Sequence, residues 1–225
     1  MPAAPVAASP ADRFRGLPVA AFEVFQIAGF DARMAALRRE ATPRLAALGQ
    51  ELLPALSRRW GMPAHAHVAH HLRRRVNPPE DTWVAWSTSA RGYKAEVHFE
   101  VGLSRTSAFV RLAALPEAGP VKLALLNQLT PERLTTLTAG TQLVRFTPDH
   151  HGLEQVPVGE LTADWGHWVR QASRAQHGWA LVVDVPRAAV VRRRGAWALD
   201  VLAAMDQLSP VWALSRPRGQ DGLAP

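Results

Sequence analysis

The triplet Asn77-Pro78-Pro79 constrains this chain most, because it separates two incompatible periodicities. Prolines lack an amide donor and drive the residue before them extended, so no regular element runs through the triplet. Before it, Leu45, Leu48, Leu52 and Leu56 recur at helical spacing and predict one apolar face over PRLAALGQELLPAL. After it the period falls to two. Thr82–Ser87 alternates as a strand, and Tyr93–Leu103 with Ser107–Leu115 reads as a hairpin turning near Ser104–Thr106.

The remaining segments follow the same rules. Phe22, Val24, Phe25 and Ile27 predict a short strand after Pro18, with helix as the alternative. Asp31 is placed to cap a helix over FDARMAALRRE, which Pro43 interrupts and restarts at its own first turn. Residues 61–66 read as a break, and 67–76 fit either helix or strand. Pro120–Leu129 and Pro131–Leu137 predict helices, Gln142–Phe146 a strand, Leu161–Ala175 a helix, Trp179–Val185 a buried strand and Ala196–Leu214 a closing helix. This order predicts an α+β fold, a two-layer sandwich of an antiparallel sheet with helices packed on it. At 225 residues, one domain over 17–216 is expected between a Pro- and Ala-rich disordered tail at 1–16 and a flexible tail at 217–225.

Several classes are excluded. No apolar run approaches the roughly 18 residues of a membrane-spanning helix, so no membrane partner is expected. The N-terminus lacks a basic start followed by an apolar stretch, and the chain has no cysteine. A cytoplasmic location is therefore expected, without disulfides or thiolate chemistry. Neither a phosphate-binding glycine loop, a dinucleotide fingerprint nor a nucleophile elbow occurs, so the motifs name neither a cofactor nor a reaction.

Charge points to anions. The chain carries 26 basic against 19 acidic residues, a net +7, and Lys94 and Lys122 are its only lysines. Guanidinium forks grip phosphate and carboxylate bidentately, which favours anionic or nucleic-acid partners. A GC-rich genome gives the same arginine bias with no functional meaning.

The candidate site lies within His67–Leu103. On a strand Arg73 and Arg75 share a face. With Arg91 and Lys94 across the Trp83–Trp86 strand, they form a candidate clamp for a phosphate or carboxylate. The alternative is that they pair with Glu80 and Asp81 and fix the turn. Asn77, Trp83 and Tyr93 would line the same pocket, Trp83 with a stacking ring and Tyr93 with a hydroxyl. On a strand running from Lys94, residues Lys94, Glu96, His98 and Glu100 share one face. Two neighbouring carboxylates would favour the charged imidazole and make His98 a candidate general acid. His67, His70 and His71 gain chelating geometry on a helix, while on a strand His67 and His71 share a face with weaker geometry, and no metal site is expected. Asp149-His150 reads as a loop turn rather than an oriented pair.

The ordered motifs FEVFQIAGFDARM, HVAHH, RRRVNPPEDTWVAW, RGYK and HFEVGL, with a weaker TPDHHG, resemble the YktB-like family of small bacterial proteins, and the resemblance covers most of the chain. It implies a compact α+β sandwich and no particular reaction. Where the family's pattern has an Arg-His-Ile-Pro-Arg-like strand end, this chain has Val183-Asp184-Val185-Pro186-Arg187, losing a basic residue and a histidine. The expected function is binding of an anionic small molecule in an Arg/His/Trp pocket. The alternative is nucleic-acid binding by the positive surface.

Overall fold

The computed structural model describes residues 13–72, 76–139, 143–149 and 154–216. The chain opens with α1 (Val19–Glu23), which passes into a 3-10 turn over Val24–Gln26. The strand expected here does not form. Phe22 and Phe25 are both buried, and only helical backbone turns residues three apart onto one face. Phe14, placed in the tail by the sequence, is buried against Trp197 and its amide donates to Glu51.

Next comes α2 (Phe30–Ala36), capped by Gly29 at φ 82° rather than by Asp31, which lies in its first turn. A π-turn over Leu37–Ala41 leads directly into α3 (Thr42–Trp60). Pro43 cannot donate to the carbonyl four residues back, and the wider turn takes up that lost bond without breaking the rod.

Four strands follow: β1 (His65–Val68), β2 (Asp81–Ser87), β3 (Val97–Ser104) and β4 (Ser107–Ala114). The break expected over 61–66 is shorter, since β1 starts at His65, and the ambiguous 67–76 segment begins as strand at His67 and Val68. Then come α4 (Gly119–Leu126), α5 (Pro131–Leu137), β5 (Val144–Thr147) and the short β6 (Val156–Pro157). A 3-10 segment, Val158–Asp164, takes the first turn of the helix expected from Leu161 and leads into α6 (Trp165–Ala172). The chain closes with β7 (Trp179–Pro186), α7 (Arg187–Arg193) and α8 (Trp197–Ala213).

All seven strands join one sheet in the order β1-β2-β3-β4-β7-β5-β6, and every neighbouring pair is antiparallel. Alternation sorts the strands' side chains. Val97, Phe99, Val101 and Leu103 enter one large apolar cluster to which α1 through α8 all contribute. Burying each such side chain is worth roughly 1.5–3 kcal/mol. Two indoles pin helices to this face. The Trp86 N–H donates to the Gly49 carbonyl on α3 at 3.1 Å, and the Trp212 N–H on α8 donates to the Val97 carbonyl at 3.2 Å. Gly49 lets α3 approach closely there, since a Cβ would stand 3.1 Å from a Val84 methyl, which would have to give way. Lys122 is also buried, donating to the carbonyls of Arg174 and His177. Among the described residues the other face of the sheet holds two small apolar clusters, around Phe109 and around Tyr93, with Trp83 touching both.

Candidate functional site

That second face carries charge. Glu100 on β3 pairs in register with Ala85 on β2 and Arg111 on β4, and His98 lies two residues along the same face. His98, Glu100 and Arg111 are 0%, 3% and 6% exposed. Removing such groups from water costs several kcal/mol each unless partners satisfy them.

His98 has partners at both nitrogens. Nδ1 lies 2.8 Å from the Glu96 carbonyl oxygen, which only accepts, so Nδ1 donates. Nε2 lies 3.0 Å from Oε1 of Glu100. A proton must sit on that second line, carried either by an imidazolium facing a carboxylate or by a carboxylic acid facing an imidazole. The dyad therefore holds a proton in the sheet, out of contact with solvent. Beside it the Arg111 guanidinium lies 3.5 Å over the Phe109 ring and 3.6 Å from Asp81.

Tyr93 covers the dyad, its ring meeting that of His98 edge-on at 4.7 Å. The Tyr93 hydroxyl accepts from the Trp83 indole N–H at 3.1 Å. Burial, seconded by the charge of Glu100, pushes the phenol pKa up to about 12, while the Trp83 hydrogen bond opposes the shift. Above these rings opens a cleft of about 380 Å³, lined by residues 68–72 together with Trp83, Tyr93 and Lys94.

Local chemistry shapes this cleft. The Ala69 amide still donates to the Trp83 carbonyl, extending β1 pairing by one bond. His71 then takes φ 52°, a conformation few non-glycine residues adopt, and turns the chain. Its ring is held 3.1 Å from the Thr82 hydroxyl and edge-on to Trp83. On the return, Arg33 donates to the Pro79 carbonyl and to Glu80, fixing the proline turn against α2. The opposite wall, between β2 and β3, is tied by Glu96, whose carboxylate accepts from the amide and hydroxyl of Thr88.

Of the residues singled out in the sequence, Trp83, Tyr93 and Lys94 meet in the cleft. Asn77 and Arg91 are exposed and outside its lining. Arg73 and Arg75 lie outside the described residues, as does His150. His98 lies beneath the cleft floor, behind Tyr93. The strand expected from Tyr93 begins only at Val97, so Lys94 and Glu96 do not flank His98. Lys94 pairs with Glu117 at 3.1 Å, Glu96 caps Thr88, and of the two expected carboxylates only that of Glu100 bonds the imidazole. Glu80 takes Arg33 as partner, and Asp81 lies beside Arg111. His67 sits on a strand and His71 in a turn, and no metal-holding group of three forms among the described residues. Arg111 was not anticipated. Its signal was a lone arginine inside the apolar run AFVRLAA, on the same strand face as Phe109.

The family described as a domain of unknown function, DUF1054, matches residues 19–212. The chain belongs to this family. A UPF0637 protein of Staphylococcus carnosus (strain TM300) is 45% identical over 97 residues, 43% of this chain and 48% of the relative. A UPF0637 protein of Bacillus thuringiensis (strain Al Hakam) is 46% identical over 96 residues, again 43% of this chain and 46% of the relative. The chain thus spans about half the length of the curated relatives it matches. The YktB-like resemblance and the α+β sandwich of the DUF1054 chain are borne out together. No helix among its described residues is long and apolar enough to cross a membrane.

Proposed function

We propose that the cleft above Tyr93 binds a small anionic ligand, phosphate- or carboxylate-bearing, that also presents a flat or apolar portion. The observation that carries this reading is the meeting of a lysine with aromatic and apolar walls in one cleft of about 380 Å³. Pockets for small ligands are mostly apolar, with a few polar groups that fix orientation. The Lys94–Glu117 pair is close to half exposed, and such pairs are worth under about 1 kcal/mol, so an entering anion exchanges readily for Glu117. In this reading Arg73 and Arg75, which follow Leu72 in the chain, add guanidinium donors. His98 holds Tyr93 in place through its ring contact and acts behind the ligand, in place of the direct catalytic contact expected of it. Trp83 supplies the flat wall.

Calorimetric titration with phenyl phosphate and with inorganic phosphate tests this proposal. Phenyl phosphate is expected to bind more tightly, because only it uses the aromatic walls. Arg75→Ala and Lys94→Gln are each expected to weaken it by about tenfold, a loss of ~1.4 kcal/mol, with melting temperatures nearly unchanged. Should Arg75→Ala unfold the protein while any ligand still binds, Arg75 is a structural ion-pair residue and the proposal fails.

A further inference from the structure

We propose that a second region, the groove between α1, α7 and the β3–β4 turn, is a docking track for the phosphodiester backbone of a nucleic-acid strand. It shares no lining residue with the cleft above Tyr93. One part, about 710 Å³, is lined by Arg105, Arg187 and Arg192. A second part, about 290 Å³, is lined by Arg15, Arg44 and Arg194. The two parts share Val19 and Val191, so they run on from one another over an apolar floor.

Charge complementarity names the occupant. No acidic residue lines either part, and among the described residues the one carboxylate bonded to these arginines is Glu23, on Arg187 at 3.1 Å. The other five arginines make no ion pair with a described residue. The contrast with Arg193 is direct. It is clamped by both oxygens of Asp200, while its neighbours Arg192 and Arg194 line the groove.

Backbone geometry supports the same reading. Arg194 takes φ 49° and ψ −134°, a conformation that costs a side-chain-bearing residue roughly 1–3 kcal/mol. Gly16 packs so close that a Cβ there would stand 2.6 Å from the Arg194 backbone. The fold thus places a strained arginine on the groove. The Arg187 amide, bonded to the Thr106 carbonyl at 2.9 Å, joins the start of α7 to the β3–β4 turn.

Six guanidiniums spread over two adjoining hollows exceed what one phosphate can engage, but they suit a chain of repeating phosphates. Two adjoining open hollows in a line suit a strand, with sugar and base faces against Val19, Pro186 and Val191. No aromatic ring lines the groove, so stacking is absent and binding should ignore sequence and fall with salt.

Anisotropy of a labelled single-stranded oligonucleotide tests the track. The full chain is compared with Arg44→Glu/Arg105→Glu/Arg192→Glu and with a control triple of equal charge, Arg38→Glu/Arg58→Glu/Arg170→Glu, whose sites are exposed and outside the groove. The groove triple is expected to lose affinity on the order of a hundredfold at low salt, and its log–log salt slope should shrink by about 2. The control triple should stay within a few-fold of the parent. If the groove triple does not fold, the same positions changed to Gln carry the comparison. Equal losses in both triples, no binding by the parent at low salt, or a groove-triple effect on anionic vesicles but not on the oligonucleotide would each overturn the proposal.

Discussion

Nε2 of His98 and Oε1 of Glu100 stand 3.0 Å apart, with 0% and 4% of their side chains exposed. The pair sits on the sheet face away from the main core, so its proton is fixed by protein groups rather than by water. Glu100→Ala leaves the buried Nε2 of His98 without its hydrogen-bond partner. We expect a loss of roughly 3 kcal/mol, read as a lowered denaturant midpoint at unchanged slope. A loss below about 0.5 kcal/mol, the usual size of a surface substitution, would mean the dyad is not closed to water.

Tyr93 is the chain's one tyrosine, so the ultraviolet absorbance of tyrosinate reports it alone. Its pKa is raised from the ordinary 10.0 to about 12. The folded protein therefore keeps a proton that the unfolded chain releases. The stabilisation is full below pH 10 and is lost as pH rises through 12. Two units correspond to roughly 2–3 kcal/mol. Trp83→Phe keeps a ring but removes the donor that lowers this pKa, so the midpoint should move higher still. A folded-state midpoint near 10 would show that the ring is open to water.

Gly102 supports the same face from within. A Cβ there would stand 2.3 Å from the Phe109 ring and 2.5 Å from the Thr82 carbonyl oxygen, which belongs to the paired backbone of β2. Gly102→Ala should cost about 1–3 kcal/mol and shift Phe109 beneath the Arg111 guanidinium. An unchanged melting temperature would contradict the packing described.

The sheet's centre was legible because alternation and turn chemistry agreed. Thr82–Ser87 and Ser107–Leu115 fall within a residue of β2 and β4, and Pro131–Leu137 matches α5. Phe22–Ile27 misled because a short apolar run carries no period, and only packing against the core selects helix. β1 was hidden because His65, Ala66, His67 and Val68 are all half-buried and show no apolar face. Trp83, Tyr93 and Lys94 could be singled out as rare residue types gathered in one segment. The depth of His98 could not. A half-exposed strand and one buried on both faces show the same alternation, and the loop that covers this histidine is set by Glu96 and Thr88, not by β3. The arginine groove joins residues from the start, middle and end of the chain, so no single stretch announced it.

Titrating phenyl phosphate into isotope-labelled protein, and following the indole N–H signals, reads the cleft most directly. We expect the Trp83 signal to shift and saturate, while those of the fully buried Trp86 and Trp179 stay in place. Lys94→Gln should move saturation to about tenfold higher ligand. A Trp83 signal that does not move, or one that saturates at the same concentration in Lys94→Gln, would contradict an anion site above Tyr93.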